Sequence, residues 1–453
     1  QGFDSERVKR IASDWMRTHQ DRELVFEGPV RLQLWPQPAV AVQKVRLSER
    51  GRPDQNFASI DRAALSLHLQ PLLQRREIEV ESVSARGVTL RFTRDDLGAR
   101  NVDDLLDRVA GGEPRSGKPL AIDSLELADV ELVIDDAAAG VKGTLNIQQF
   151  SLGAFGPGLR SPLQMKAQAA LTEPSLQGAL ELDAALSLLP PPRPGASPLV
   201  QLDKTGLRLR GTGFELEGLD ASLQAESVSL EYCAELGLGD SRLELQDAKL
   251  QFGGRRLGWQ VDTGQLQLAR LRLEMLERRL ELEQLALQLK GSRGATTLAA
   301  QLRWPQLDVQ GDQLHGSAVD GSLTLGGDQR LQMQLSSQPP SGAFERITLP
   351  ELHLALDGQF GSSALKGQAD ATLLLEPQTL AATLDALSLR LQVDDPGLPA
   401  LQLALQGQAQ LAPDSGSGRL EGTINDQRVD ARFDAQLDRV RPFIDLQADI
   451  GTL

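Results

Sequence analysis

From about Leu199 to its last residue, the chain alternates leucine with polar residues. The pattern appears as Leu207-Arg-Leu209, Leu243-Glu-Leu245, Leu266-Gln-Leu268, Leu285-Ala-Leu287, Leu331-Gln-Met333-Gln-Leu335, Leu387-Ser-Leu389-Arg-Leu391 and Leu401-Gln-Leu403-Ala-Leu405. A period of two sends successive side chains to opposite faces of a strand, so each segment makes a strand with one apolar and one polar face. Turn residues recur every 8–12 positions or so, the spacing of an antiparallel meander. Roughly 20 strands at about 4.8 Å each would give a sheet on the order of 100 Å across, which must curl or be covered. The phase also slips: Leu266 and Leu268 are even, Leu271 and Leu273 odd. A β-bulge near Ala269-Arg270 would restore the facing and bend the sheet.

The N-terminal half is less regular. Phe3 to Gln20 carries Phe3, Val8, Ile11, Ala12, Trp15 and Met16 on one helical stripe, with Asp4 and Glu6 near its start. Phe3, Trp15 and Met16 are expected to seat this helix on the first strands, the membrane surface being the alternative. Strand-like segments follow at Leu24–Leu34, Val40–Leu47, Leu65–Leu69, Ile78–Val80 and Val88–Phe92, and Asn101 caps a short acidic helix from Val102 to Val109. The expected organisation is an N-terminal region over 1–110, a linker over 111–119, a strand segment over 120–189, a proline-rich loop over 190–198 and the repeat region over 199–453. Gly253-Gly254, Gly326-Gly327, Pro339-Pro340, Pro396-Gly397 and Ser415–Gly418 read as hairpin loops.

Composition removes several classes of function. A net charge of −15 argues against nucleic acid as a partner. The single cysteine, Cys233, forms no intrachain disulfide and has no histidine near it in sequence. His19, His68, His315 and His353 lack metal-ligand spacing, and neither a phosphate-binding loop nor a nucleophile elbow is present. No catalytic residue, metal or cofactor is expected. No apolar run is long enough to span a bilayer as a helix.

The apolar face then has three readings. It is the interior of a closed sandwich or barrel; it faces lipid in a membrane barrel; or it is the floor of a groove that holds acyl chains. Membrane barrels carry aromatic girdles, and an aromatic content of 4% with one tyrosine argues against that fold. Leucine makes a non-directional surface suited to hydrocarbon. Exposing acyl chains to water costs about 0.8 kcal/mol per methylene, which a continuous apolar track would offset.

The first hundred residues resemble the N-terminal region of the AsmA family of bacterial envelope proteins. The helix with Asp4 and Lys9 is followed by Arg22-Glu-Leu24, Phe26-Glu-Gly28, Leu34-Trp-Pro36, Val45-Arg-Leu47 and Pro71-Leu72-Leu73. Then come Gly98-Ala-Arg-Asn101 and Asp104-Leu105-Leu106. Where the family usually has Thr-Gly-Arg after the first helix, this chain has Thr18-His-Gln-Asp-Arg22. The resemblance covers about residues 3–108 and implies a chorein-like cap on a mainly β, taco-shaped groove of elongated, curled antiparallel sheet. It further implies a periplasmic body, an inner-membrane anchor before residue 1 and a groove continuing past residue 453. The expected role is phospholipid transport between inner and outer membrane, with acyl chains as cargo and an envelope protein as a possible partner. The floor would be Leu207, Leu209, Leu243, Leu245, Leu266, Leu268, Leu285, Leu287, Leu389, Leu391, Leu403 and Leu405. The rival is a periplasm-spanning scaffold or assembly factor with a closed, lipid-free β core.

Overall fold

The computed structural model describes residues 5–33, 38–68, 70, 80–96, 98–102, 122–137, 140–156, 158–173, 175–189, 199–213, 216–231, 242–274, 277–327, 329–376, 381–412, 415–436 and 443–450. Outside them fall Phe3, Leu34-Trp-Pro36, Pro71-Leu72-Leu73, most of the acidic helix after Asn101, the 111–119 linker, the 190–198 loop and Cys233. The chain divides into two compact units, Gln1–Glu215 with Ser227–Leu238 and Leu216–Glu226 with Gly239–Leu453.

The first unit opens with helix α1 (Ser5–Gln20), followed by β1 (Leu24–Phe26), β2 (Val30–Gln33), β3 (Ala39–Glu49), β4 (Arg52–Leu67) and β5 (Val80–Arg94). It continues through β6 (Ile122–Asp136), β7 (Val141–Leu152), β8 (Arg160–Glu173), β9 (Leu176–Leu189) and β10 (Leu199–Gly213). The stretch expected as one strand from Leu24 to Leu34 is two short ones. Both pair with β3, Phe26 opposite Val45 and Val30 opposite Val42. Successive strands from β3 to β10 are antiparallel except β5 and β6, which run parallel with Val88 beside Val130. A parallel pair needs a crossover rather than a hairpin, and the glycine- and proline-rich stretch between these strands supplies its length.

β11 (Leu216–Glu231) has residues in each unit. The second unit holds β12 (Arg242–Arg256), β13 (Trp259–Glu274), β14 (Arg279–Arg293), β15 (Thr296–Gln310), β16 (Gln313–Gly316), β17 (Asp320–Gly326) and β18 (Gln329–Ser336). Then come β19 (Ser341–Ala343), β20 (Arg346–Phe360), β21 (Ser363–Glu376), β22 (Ala381–Asp394), β23 (Leu401–Ala412), β24 (Ser415–Ile424), β25 (Gln427–Gln436) and β26 (Phe443–Ile450). All pair antiparallel. Among the described residues no register returns β26 to β12, or β10 to β1 and β2, so the fold is mainly β and neither unit closes into a barrel.

Three turn expectations fail, two of them because glycine also serves inside strands and the third because the strands it separates do not pair with each other. Gly253-Gly254 lies within β12, and the hairpin is made by Leu257 and Gly258, both at positive φ. Ser415–Gly418 lies within β24, where Phe433 of β25 fills the space above Gly418. Pro339-Pro340 separates β18 from β19, which pair with the same strand β20.

Candidate functional site: one apolar face with a transverse crease

Directly opposed residues in neighbouring strands share a face, so the registers trace the apolar surface row by row. In the second unit one row runs Leu250–Leu266–Leu287–Leu302–Gly321–Leu335–Leu354–Ala369–Leu389–Leu405–Gly422–Val429. A parallel row runs Gly264–Leu289–Ala300–Leu323–Met333–Leu356–Gly367–Leu391–Leu403–Ile424. Leu243 and Leu245 stand opposite Leu273 and Leu271, Leu268 opposite Ala248, and Leu285 opposite Trp304. All ten expected floor leucines of this unit therefore lie on one face. Leu207 and Leu209 belong to the first unit, opposite Leu182 and Leu180. Leu209 ends the row Phe26–Val45–Ile60–Val88–Val130–Ile147–Ala167–Leu180–Leu209.

The phase slip seen in the sequence is a structure in its own right. Asp247, at φ 47°, and Ala269 face each other where the β12–β13 pairing lapses. Next to Ala269 is Gln284, at φ 54°, and next to Gln284 is Pro305. The line continues through the break at Ser317–Val319 and the break at Ser337–Pro340, linked by Ser317 N–H to Gln306 O, Ser337 N–H to Val319 O and Gln338 N–H to Pro350 O. It passes Glu351 (φ 48°), Thr372 and Ala386 (φ 50°) to reach Gln408. Each interruption shifts the phase where one is needed. Leu349 and Leu352 oppose Leu373 and Ala371, two apart in a regular strand, so both keep the apolar face although they are three positions apart. Proline lacks a ladder donor and is tolerated where pairing lapses, which accounts for Pro305, Pro339, Pro340 and Pro350 on this line. The first unit has the same device at Lys44, Asp61, Gly87 and Asp129, with Lys44, Gly87 and Asp129 at positive φ.

Bulges bend strands, and burial follows the bend. Beside the crease, Leu307 is 3% exposed, Val319 4%, Leu349 4%, Ala409 4% and Leu352 8%. Two rows away, Leu323, Met333, Leu356, Leu391 and Leu403 are only half-buried. The face thus rises from the crease toward these rows on one side. Below the crease, Leu282, Leu307, Val309 and Ile347 close into a cluster with Leu280, Trp304, Leu314, Phe344 and Leu375. Of the twelve expected floor residues, Leu268 and Leu405 are buried and the rest half-buried. A sealed sandwich would bury its inner face throughout.

The polar face carries ion pairs. Glu244, Arg272 and Glu281 line up across β12, β13 and β14, with Arg272 3.3 Å from Glu244 and 3.5 Å from Glu281. Arg242 lies 3.1 Å from Glu274. Burial pushes the Glu244 carboxyl up, but hydrogen bonds from Gln246, Arg242 and Arg272 and the charge of Arg272 outweigh it, leaving it below its ordinary value. Burial and a hydrogen bond with Glu277 hold Glu274 above its ordinary value despite Arg242 and Arg272. On the same side a shallow depression of about 720 Å³ is lined by Gln334, Gln368, Arg390 and Gln392. Among the described residues no group of His, Cys, Asp or Glu is placed to hold a metal ion, and no helix is long and apolar enough to cross a membrane.

The N-terminal elements are tied by Arg22, only 1% exposed. Its guanidinium donates to Ser48 O at 3.0 Å and to Asn101 O, and sits 4.4 Å over the Phe57 ring. The Asn101 side chain donates to Glu49 and to Arg91 O and accepts from Thr93 N–H. Helix α1 packs on β1 and β2, with Ser13 Oγ donating to Leu24 O at 2.6 Å. Met16 is half-buried, but Trp15 is not seated on the strands as expected. It is 46% exposed, stacked on His19 at 5.0 Å, because the face of α1 turned to the strands carries Ala12, Ser13, Met16 and Gln20.

Helix α1, the Arg22–Asn101 tie and β1 through β7 all fall within one match. Residues 2–153 match the model of the AsmA family. No curated protein and no solved structure matches the chain significantly. The AsmA match supports an envelope-related role, and the open apolar face fits that setting.

Reading the sequence missed Leu302, Leu323, Leu356 and Trp304 as members of the face. Pro305 occupies the unpaired crease position and Trp304 keeps the apolar face. The glycines Gly321 and Gly367 were also missed; Leu391 lies over Gly367, so an apolar row continues across a residue without a side chain.

Proposed function

We propose that this protein is a conduit for phospholipid in the bacterial envelope, the acyl chains moving along the creased leucine face. The observation that carries the reading is the continuous row from Leu250 to Val429, apolar or glycine at every strand it crosses, on a face that is open and only half-buried. Hydrocarbon held there leaves water at every step, and the absence of directional contacts lets it move from one strand to the next without a deep well. No bond is made or broken, so the reading gives no residue a catalytic role and needs no cofactor. A periplasmic body attached to the inner membrane, delivering toward the outer membrane, belongs to the same proposal and rests on the AsmA match.

The test is mass spectrometry of the intact protein extracted from cells. Co-purified phospholipid, lost in Leu287→Asp with Leu389→Asp while the β circular dichroism is kept, is the expected result. Lipid-free protein overturns the reading in favour of a scaffold.

A further inference from the structure

The leucine face of the second unit has one closed margin, where three hairpin tips meet. Gly311 N–H donates to Arg278 O at 3.0 Å and Phe344 N–H to Gly311 O at 3.2 Å. The Arg278 guanidinium binds Glu345 and lies 3.5 Å from Asp312. Among the described residues, β16 and β19 lie side by side without a shared register. This clasp, with the packing of Leu314 and Phe344, therefore holds the gap between them shut. Val309 behind it is fully buried. A lipid headgroup has no polar partner in such a cluster, and burying it there unpaired is costly.

The opposite margin is open and ends in a cation. Above the crease, β14 places Leu285, Leu287, Leu289, Gly291 and Arg293 on one face. The neighbouring β15 runs from Trp304, beside Leu285, to Thr296, beside Arg293. At about 3.3 Å per residue, the apolar column from Leu285 to Gly291 is about 20 Å tall. One leaflet's hydrocarbon is about 15 Å deep, half the core of a bilayer. Arg293 is exposed and makes no ion pair among the described residues. A guanidinium at the end of an apolar column of acyl length matches a phosphate, which it binds through two parallel hydrogen bonds. A zwitterionic lipid carries no net charge, so the −15 of the chain does not repel it.

We infer that phospholipid stands along β14 and β15 with its acyl ends stopped at the Leu285–Trp304 pair and its phosphate at Arg293. Leu285 and Trp304 are positioning residues at the closed end, since both pack against the sealed cluster. The orientation presupposes the lipid conduit and adds a direction across the groove.

The experiment uses the full chain loaded with phosphatidylethanolamine that carries a photoreactive diazirine either at the acyl terminus or on the headgroup. After irradiation, peptide mass spectrometry maps the adducts. The acyl-end probe is expected on Leu285, Leu302 and Trp304, and the headgroup probe on the hairpin from Arg293 to Thr296. Arg293→Ala should lower headgroup labelling of that hairpin several-fold. Arg293→Lys should restore most of it, because an ammonium also binds phosphate. Unchanged thermal unfolding verifies the fold of both variants. Acyl-end adducts on that hairpin, on Val309 or on Ile347 overturn the orientation and leave the conduit standing. So does headgroup labelling that Arg293→Ala does not change. No adduct from either probe on the leucine face overturns the conduit and the orientation with it.

Discussion

The guanidinium of Arg22 donates to the backbone carbonyl of Asn101, 79 residues later in the chain. That bond joins the end of α1 to the segment that follows β5, and Arg22 also holds Ser48 O of β3. Two of the residues by which the N-terminal region resembles the AsmA family thus meet in one contact. Removing the side chain leaves the buried Ser48 carbonyl and the half-buried Asn101 carbonyl without that donor and an unfilled space over Phe57. Arg22→Ala is expected to destabilise the first unit by about 2–4 kcal/mol. Arg22→Lys recovers little, since an ammonium cannot reproduce the planar fork. Urea denaturation followed by circular dichroism measures both, with exposed Arg52→Ala as a near-neutral reference.

The crease divides the apolar face into a sealed and an open part, and charge substitutions separate them. Val309 is fully buried and Leu307 is 3% exposed. Val309→Asp places an unpaired carboxylate in a closed cluster and is expected to unfold the second unit at physiological temperature. Leu323→Asp or Leu403→Asp, on half-buried rows, should cost no more than about 1–2 kcal/mol and act on bound lipid instead. Limited proteolysis alongside lipid quantification distinguishes the two classes.

Period-two alternation made the strands and the membership of each leucine in one face legible, because side-chain facing is fixed locally by backbone geometry; the expected 20 or so strands fell short of the 26 described. The slip between Leu268 and Leu271 located the interruption at Ala269, although no residue is inserted there relative to β12 or β14, so it is not the bulge expected. What alternation does not encode is the partner of each strand. The parallel pairing of β5 with β6 depends on a crossover, and the alignment of Asp247, Gln284 and Glu351 into one crease depends on registers set by the hairpins. For the same reason the sequence could not tell a sealed face from an open one. Leu282 and Leu289 are written alike, yet Leu282 is buried in the cluster and Leu289 is half-buried.

The bulges make a further prediction. Gln284 has φ 54°, a conformation glycine adopts without the Cβ penalty. Gln284→Gly should therefore be neutral or stabilising by up to about 1 kcal/mol. Deleting Gln284 instead removes the kink: Leu282 and Leu285 become two apart and the leucines keep one face, but everything after Glu283 slips by one residue against β13 and β15, which keep their own interruptions at Ala269 and Pro305. The deletion is expected to abolish folding of the second unit, and thermal unfolding of the pair of variants, one tolerated and one not, checks it.

Acid should act on the two glutamates of the polar-face network in opposite directions. The folded-state pKa of Glu244 is lowered by its arginine partners, so the native state binds fewer protons than the unfolded chain. Its contribution is present above the unfolded value of about 4.3 and is lost as pH falls through the lower folded value. Glu274 is raised by burial and by Glu277, so its native state binds more protons. Its contribution is present below the unfolded value and is lost as pH rises through the folded one. Glu244→Gln should consequently lower stability at neutral pH and flatten the loss below about pH 4. Glu274→Gln should be tolerated better at neutral pH, since the neutral side chain reproduces the form that burial favours while giving up the attraction of Arg242. Urea midpoints of the three proteins between neutral and acidic pH measure the difference. A wild type whose midpoint is less sensitive to acid than that of Glu244→Gln would show that the Arg272 pair does not hold this carboxylate in the folded state.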